Sequence, residues 1–250
     1  MVTIKDIASL ANTSTSTVSR VLNGMSIRDQ ALAERIREIA QEMDYQPNAA
    51  GRNLRMGTDE EFGPVFDVRS QQDLQSKRAI AERAAQFIES SDLIVLDSGS
   101  TVGQLAYHLP TNMLVYTNSL AVLQPAARRG AHVHLSPGLY VPAMAAVFGE
   151  ETEDYFRQRH FTKYFLSSAR VDVRTGLFNV NPTTYSVKRV MMEQTRTKVL
   201  MVHHDKFCDA GLASYAPLNA IDVLVTDFIP DSFREAIAKS GVQVIETKRP

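Results

Sequence analysis

Residues 77–250 alternate between short apolar runs and amphipathic segments, and this alternation limits the folds that the chain can adopt. The apolar runs are too short for buried helices and predict strands, whereas the segments between them have the 3.6-residue period of helices. Such an alternation is typical of a mostly parallel sheet with helices on both faces. The predicted strands are residues 93–96, 114–116, 132–135, 163–167, 198–202, 223–226 and 242–245, and the predicted helices include 79–89, 151–159, 185–194 and 232–239.

The first 45 residues have a different pattern, which predicts three short helices and no strand. Ser14 and Asp29 stand where the N-caps of the second and third helices are expected. Val18 and Val21 mark the inward face of the second helix. Asn12 lies in the turn before it, where a left-handed backbone is needed. The spacing indicates a helix-turn-helix in an all-α head, with a structural three-helix bundle as the alternative.

Charge by itself does not point to nucleic acid, because the net charge is −1 and residues 1–57 hold seven Lys or Arg against six Asp or Glu. DNA binding would therefore depend on where the cations are placed and on dimerisation. Arg20 can pair with guanine or with phosphate, and the neighbouring hydroxyls can contact bases or backbone.

Composition predicts a folded cytoplasmic protein of two domains. Apolar residues make up 44% of the 250 residues, and the single cysteine allows no internal disulfide. No apolar run is long enough to cross a bilayer, so no membrane association is expected. The predicted division is a head over 1–57, a polar linker over 58–76, which shows no clear period, and a second domain over 77–250.

The head resembles the DNA-binding domain of the Lac repressor (LacI) family over about 55 residues. The motifs are Thr3-Ile-Lys-Asp-Ile-Ala8, Thr17-Val-Ser-Arg-Val-Leu-Asn-Gly24 and Tyr45-Gln-Pro-Asn-Ala-Ala50. The resemblance implies a recognition helix in the major groove and a hinge helix over 49–55, with Leu54 wedged into the minor groove. Gly51 disfavours that hinge helix by up to about 1 kcal/mol. The implied DNA-binding residues are Thr3, Ser14, Thr15, Ser16, Thr17, Ser19, Arg20, Asn23, Tyr45, Asn48, Ala49 and Leu54.

Two polar loops follow predicted strands in the second domain, at 97–101 and 117–119. Small hydroxyl residues and glycine at a helix start let backbone N–H groups approach an anion. Ligands of open α/β sheets bind beyond the carboxyl ends of strands, where both loops belong. Taken alone, each loop is equally consistent with a tight structural turn.

Residues 77–246 resemble the C-terminal sensor domain of the DeoR family, whose fold is similar to phosphosugar isomerases and coenzyme A transferases. The motifs are Lys77-Arg-Ala-Ile-Ala81, Asp97-Ser-Gly-Ser-Thr101, Thr117-Asn-Ser119, Val187-Lys-Arg189, Asp205-Lys-Phe207 and Ile221-Asp222. The chain departs from the family at 136–138 and at 203–205, where two histidines and an aspartate precede the lysine. The effector-binding residues that the resemblance implies are Asp97, Ser98, Gly99, Ser100, Thr101, Thr117, Asn118, Ser119, Lys188 and Lys206.

Together the two resemblances imply a transcription repressor of a carbohydrate operon that a phosphorylated sugar releases from double-stranded operator DNA. A homodimer or homotetramer is expected on a pseudo-palindromic operator, with no cofactor.

The alternatives are an enzyme and a metal site. A phosphosugar isomerase fused to the head would need a catalytic base, for which Asp97, Asp172 and Asp205 are candidates. The histidines at 203 and 204 are not expected to share a metal, because adjacent strand residues point to opposite faces. Cys208 has no matched base and is expected to be inert.

Overall fold

The structure is a computed structural model that describes residues 4–22, 27, 29–43 and 65–247. The chain divides into two compact units, residues 1–56 and 57–250, and each is described by itself. Thr3, Asn23, Tyr45, Asn48, Ala49 and Leu54 lie outside the described residues, as do the expected hinge helix and the side chain of Ser19.

The first unit contains the three predicted helices, α1 (Ile4–Leu10), α2 (Thr15–Leu22) and α3 (Gln30–Glu42). Both expected caps are confirmed, since Ser14 Oγ accepts from the Thr17 N–H at 3.2 Å and Asp29 Oδ1 from the Leu32 N–H at 3.0 Å. Asn12 adopts the left-handed conformation that the turn predicts, with φ of 49°. The small core is formed by Ile7, Ala8, Ala11, Val18, Val21, Ala33, Ile36 and Ala40.

The second unit is an α/β domain, which confirms the predicted fold class. Its helices are α4 (Phe66–Gln71), α5 (Leu74–Ala85), α6 (Ser100–Leu105), α7 (Leu120–Arg128), α8 (Glu150–Arg157), α9 (Pro182–Glu193) and α10 (Asp231–Lys239). Its strands are β1 (Ile94–Leu96), β2 (Leu114–Thr117), β3 (His132–Leu135), β4 (Leu139–Val141), β5 (Ala146–Phe148), β6 (Phe161–Leu166), β7 (Arg170–Asp172), β8 (Gly176–Phe178), β9 (Thr195–Met201), β10 (Phe207–Cys208), β11 (Val223–Thr226) and β12 (Gln243–Glu246).

Seven strands form one sheet in the order β12-β11-β9-β6-β1-β2-β3, and every pairing in it is parallel. From β1 the chain proceeds outward through β2 and β3, whereas from β6 it proceeds through β9, β11 and β12 in the opposite direction. The strand order therefore reverses between β1 and β6. In open α/β sheets this reversal opens a crevice at the carboxyl ends of the two strands, where ligands bind.

The core lies on both faces of this sheet. Helices α5, α6 and α7 cover one face through residues such as Ile80, Val102 and Val122. Helices α8, α9 and α10 cover the other through Phe156, Met191 and Ile237. The central strands β1 and β11 are buried on both faces, which explains why they read as continuous apolar runs.

Three features of this domain were not predicted from the sequence. Strands β4 and β5 form a hairpin, and β10, β7 and β8 form a small sheet. These strands have two or three residues each, too few to show a period. The predicted linker over 58–76 also differs in its described part, which contains α4 and the start of α5. Helix α4 has six residues, and among them only Val68 is buried. The helix therefore shows no amphipathic stripe.

Asp172 holds the small sheet to a neighbouring loop. Its buried carboxylate accepts hydrogen bonds from the backbone N–H groups of Arg174, Thr175, Ala210 and Leu212, at 2.9–3.2 Å. Burial opposes the charge, but the four donors outweigh it and hold the pKa of Asp172 well below its usual range. These contacts explain Asp172 as a structural residue, whereas the sequence offered it as a candidate base.

We expect Asp172→Asn to lower the free energy of unfolding by about 1–3 kcal/mol, because a neutral amide has one acceptor for four donors. The carboxyl group of Asp172 binds a proton more readily in the unfolded state than in the folded state. Its charged form therefore stabilises the fold above about pH 4, and this stabilisation is lost as the pH falls further. The difference in Tm between Asp172→Asn and the unmodified protein should therefore shrink between pH 6 and pH 3. Asp209→Asn, which removes an exposed partner of Arg174, is the matched control and should have little effect.

Among the described residues, no helix is both long enough and apolar enough to cross a membrane.

Candidate functional site

The outward face of α2 is polar. Thr15, Ser16 and Arg20 are exposed, while Val18 and Val21 are buried beneath them. Ser14 Oγ lies 2.7 Å from Ser16 Oγ and 2.9 Å from Thr17 Oγ1, so these hydroxyls form one hydrogen-bonded cluster at the start of the helix. The exposed hydroxyl and guanidinium groups can contact DNA phosphates and base edges.

In the second unit, the loops after β1 and β6 meet at the point where the strand order reverses. Asp97 follows β1, and its Oδ2 accepts from the Ser167 N–H at 3.1 Å, just after β6. Lys188 of α9 forms an ion pair with the same Asp97 oxygen and donates to the Ser167 carbonyl at 3.0 Å. The Lys188 and Asp97 side chains are 6% and 2% exposed, so this pair is removed from water. The structure thus brings together Asp97 and Lys188, which the sequence placed 91 residues apart.

Arg69 lies near this ion pair, and two further cations, Lys77 and Lys206, lie near Arg69. Lys77 is 3% exposed, and its ammonium donates to the carbonyl oxygens of Arg69, at 2.5 Å, and of Gln72. Burial lowers the pKa of Arg69, and the nearby charge of Asp97 opposes that effect. Burial also lowers the pKa of Lys206, with further lowering by the charges of Arg170 and Arg69.

Burial is the main cause of these lowered pKa values, and repulsion between neighbouring cations adds to it for Lys77, Lys188 and Lys206. Burial lowers the pKa of Lys77 to about 8, with the neighbouring charges of Lys206 and Arg69 adding to the effect and Asp73 opposing it. Burial likewise lowers the pKa of Lys188, against the attraction of Asp97. An excess of positive groups in a low-dielectric environment favours the binding of an anion, because the anion stabilises their charged forms. We call Arg69, Lys77, Asp97, Lys188 and Lys206 the cation cluster.

The loop over 98–101 approaches β6 closely. A methyl group on Gly99 would lie 1.7 Å from Ser167 Oγ, so a side chain at this position would push the two loops apart. Ser98, Ser100 and Thr101 are all buried beside the cation cluster. Because α6 has only six residues, its dipole is small, and the lysines and arginine supply most of the positive potential.

The loop over 117–119 is held by its own side chains. Thr117 Oγ1 donates to the Leu96 carbonyl at 2.7 Å and accepts from the Ser119 N–H at 3.0 Å. Asn118 Nδ2 donates to the Val147 carbonyl at 2.9 Å, which fastens the β4–β5 hairpin to this loop. Asn118 Oδ1 and Ser119 Oγ are buried and have no hydrogen-bond partner among the described residues. Since unpartnered buried polar atoms are costly, they are candidates for contact with ligand hydroxyls.

The sequence missed Arg69 and Lys77 as members of the site. Lys77 lies on the apolar stripe of α5 with Ile80, Ala81 and Ala84, and a cation in such a stripe is a signal that sequence reasoning could have used. Arg69 lies in the segment expected to be a linker, and no sequence pattern indicates that it belongs to a site.

A surface groove of about 630 Å³ lies between α4, α5, α6 and α7. It shares Ser100 with the predicted site, but its other lining groups include exposed residues such as Arg78 and Tyr107. None of the five residues of the cation cluster lines it. The charged residues at the strand reversal are therefore the better candidate for a specific site.

Two family models match this chain. The DeoR C terminal sensor domain matches residues 72–228, and the lacI family of bacterial regulatory proteins matches residues 3–48.

Similar proteins include named regulators. The HTH-type transcriptional regulator GlpR of Haloferax volcanii is 28% identical over 185 residues, which cover 73% of this chain and 72% of that protein. The transcriptional repressor AccR of Agrobacterium fabrum is 30% identical over 155 residues, 60% of each chain. Ribose 5-phosphate isomerase A of Methanocaldococcus jannaschii is 12% identical with a TM-score of 0.42, over 55% of this chain and 56% of that one, a likeness too distant to argue from. The chain belongs to the DeoR family through its sensor domain, which is joined to a helix-turn-helix head of the lacI family.

Proposed function

We propose that this protein is a transcription repressor of a carbohydrate operon, and that a phosphorylated sugar bound in the cation cluster releases it from operator DNA. The observation that carries the proposal is the buried ion pair of Lys188 with Asp97 at the strand reversal, with the half-buried Arg69 near Asp97 and the buried Lys77 held against the Arg69 carbonyl. The repressor AccR and the putative aga operon transcriptional repressor of Escherichia coli O157:H7 are relatives whose names agree with this assignment.

The chemistry of the crevice fits a phosphate joined to a polyhydroxylated chain. Arginine and lysine side chains form charge-assisted hydrogen bonds with phosphate oxygens. Backbone amides over 98–101 can approach the same group, because Gly99 leaves room for them. Asn118 Oδ1 and Ser119 Oγ then bind sugar hydroxyls, which satisfies both buried atoms.

Arg69 links effector binding to the rest of the chain. It lies on α4, the first described helix after residues 44–64, which lead from the head. An anion in the cluster attracts the Arg69 guanidinium and thereby favours one position of α4. Coupling of this kind is reciprocal, so operator DNA must weaken effector binding by the same factor.

Asp97 is a ligand-positioning group in this proposal and not a catalytic base. Its Oδ2 is occupied by Lys188 and by the Ser167 N–H. A base must be able to reach the proton that it abstracts. We therefore propose sensing without turnover, in a cytoplasmic homodimer or homotetramer whose paired heads bind a pseudo-palindromic operator.

The direct test is a thermal-shift screen of the full-length protein with pentose, hexose and polyol phosphates, the same compounds without phosphate, and inorganic phosphate. We expect one phosphorylated compound to raise Tm in a concentration-dependent way and to release a labelled operator. The proposal is wrong if no phosphorylated carbohydrate binds, or if binding leaves operator affinity unchanged.

Arg20→Ala tests the DNA-binding half of the proposal. We expect it to weaken specific operator binding by about 1–3 kcal/mol per head, because one base or phosphate contact is lost. The Tm shift produced by the effector should be retained, since Arg20 belongs to the other unit. Arg35→Ala, which removes an exposed cation of α3, is the matched control, and equal losses in both variants would contradict base reading by Arg20.

Effector affinity should also depend on pH through Lys77. The pKa of Lys77 is about 8 without ligand, and a bound phosphate stabilises the ammonium and raises that pKa. Binding therefore takes up a proton, and affinity should fall as the pH rises from 7.5 to 9.5. Titration calorimetry in two buffers of different ionisation enthalpy measures the proton uptake, and Lys77→Gln should remove the step near pH 8.

A further inference from the structure

A second cluster of ligand-type side chains lies beside the cation cluster, just after β9. The strand ends at Met201, so His203 and His204 lie in a turn, and the alternation of strand residues does not apply to them. Their ring planes are inclined at 80°, with centroids 6.0 Å apart. His204 Nε2 lies 3.0 Å from Asp205 Oδ1, and His203 Nδ1 lies 4.0 Å from Asp205 Oδ2.

His203 presents a buried nitrogen to this cluster. The residue is 3% exposed, and its Nδ1 has no hydrogen-bond partner among the described residues. The carboxylates of Asp205 and Asp73 face this nitrogen at 4.0 and 3.9 Å, too far for a hydrogen bond. Around a tetrahedral ion with bonds of about 2.0–2.2 Å, two ligand atoms lie slightly closer to each other than these two distances. The ligand atoms of His203, His204 and Asp205 all lie within 4.8 Å of one another, so small side-chain rotations would close these three groups around an ion.

The orientation of His204 is fixed from behind. Its Nδ1 lies 2.7 Å from Asp227 Oδ2, and its backbone N–H donates to Asp227 Oδ1 at 2.7 Å. The ring also stacks on Phe228 with centroids 4.2 Å apart. A carboxylate on one imidazole nitrogen places the proton there and leaves the other nitrogen as a metal ligand, an arrangement common in metal sites.

The charges of the neighbourhood allow a cation to bind. Lys77 and Lys206 repel a metal ion, but they are opposed by the carboxylates of Asp73, Asp205 and Asp227. The two imidazoles disfavour Ca²⁺ and Mg²⁺, which prefer oxygen ligands.

We propose that His203, His204 and Asp205 bind one divalent transition-metal ion of the zinc class, with Asp73 facing His203 and Asp227 as the group that orients His204. The site shares no ligand with the proposed effector site, although Lys77 and Lys206 of the cation cluster lie beside it.

The test uses the full-length protein after treatment with a chelator and dialysis. Zn²⁺ alone is titrated by calorimetry and by competition with a chromogenic chelator, and Co²⁺ is titrated by visible absorption. We expect saturation at one equivalent per chain, and Co²⁺ bands of the intensity typical of tetrahedral coordination. His203→Gln, His204→Gln and Asp205→Asn should each weaken Zn²⁺ binding at least 100-fold, and Asp227→Asn about 10- to 100-fold.

His132→Gln is the matched control, because His132 is an exposed histidine on the edge strand β3. It should leave the affinity unchanged, and circular dichroism of each metal-free variant verifies its fold. The proposal is overturned if the unmodified protein binds no stoichiometric Zn²⁺, if His203→Gln retains full affinity, or if His132→Gln loses as much as the ligand variants. The phosphate screen described above is run on the metal-free protein, so that failure of either proposal is visible separately.

Discussion

Lys188→Met is expected to lower the free energy of unfolding of the sensor domain by about 3–5 kcal/mol. The substitution leaves the Asp97 carboxylate almost fully buried without the ammonium that compensates its charge. Methionine has a similar length and fills much of the same volume, so packing contributes little to the loss. Urea denaturation followed by circular dichroism measures the effect directly.

The double variant Asp97→Asn with Lys188→Met is the decisive control. Removing both charges avoids the uncompensated carboxylate, and we expect it to regain most of the lost stability. Lys198→Met, which breaks the more exposed pair with Asp222, should change stability much less. If Lys188→Met is as stable as the unmodified protein, the buried ion pair does not exist in solution as described.

This stability loss changes how effector binding should be tested. From the sequence, Lys188 is expected to affect the effector response while sparing DNA binding. The structure makes it a partner of Asp97 as well, so that a weakened response in Lys188→Met also reflects loss of folded sensor. Arg69 is a second probe of the cluster, because its side chain is only half-buried, donates to Met144 Sδ at 3.3 Å and lies over the Phe66 ring at 5.6 Å.

Arg69→Gln is therefore expected to lower effector affinity about 100-fold, or about 3 kcal/mol, while leaving operator affinity without effector unchanged. A guanidinium can form two parallel hydrogen bonds with a phosphate, each worth about 1.5–3 kcal/mol with a charged partner. Arg69→Lys keeps the charge but loses this geometry and should give an intermediate loss. Calorimetry with the compound identified in the thermal-shift screen provides the affinities.

The control for Arg69 is Arg83→Gln, which removes an exposed arginine of α5 from the same domain. It should bind the effector normally. If Arg69→Gln also binds normally, Arg69 is not an effector ligand. If it binds weakly but still releases operator at saturating effector, α4 does not carry the coupling.

Much of the architecture was predictable from local sequence. The caps at Ser14 and Asp29, the left-handed turn at Asn12 and the apolar faces of α2 and α3 all follow from interactions within a few residues of each other. The parallel sheet was predictable for a similar reason, because strands such as β1 and β11 are buried on both faces and read as unbroken apolar runs. The short strands β4, β5, β7, β8 and β10 were not, since two or three residues are too few to show a period.

The sequence by itself determined the two-part organisation, the helix-turn-helix, the class of the sensor fold and the loops that follow its strands. Only the tertiary structure decided that the strand order reverses between β1 and β6, that Lys188 pairs with Asp97, and that Arg69 and Lys77 join them. It also decided that His203 and His204 both face the carboxylate of Asp205. Propensity and periodicity act over a few residues, whereas burial and ion pairing depend on which distant segments the sheet brings side by side.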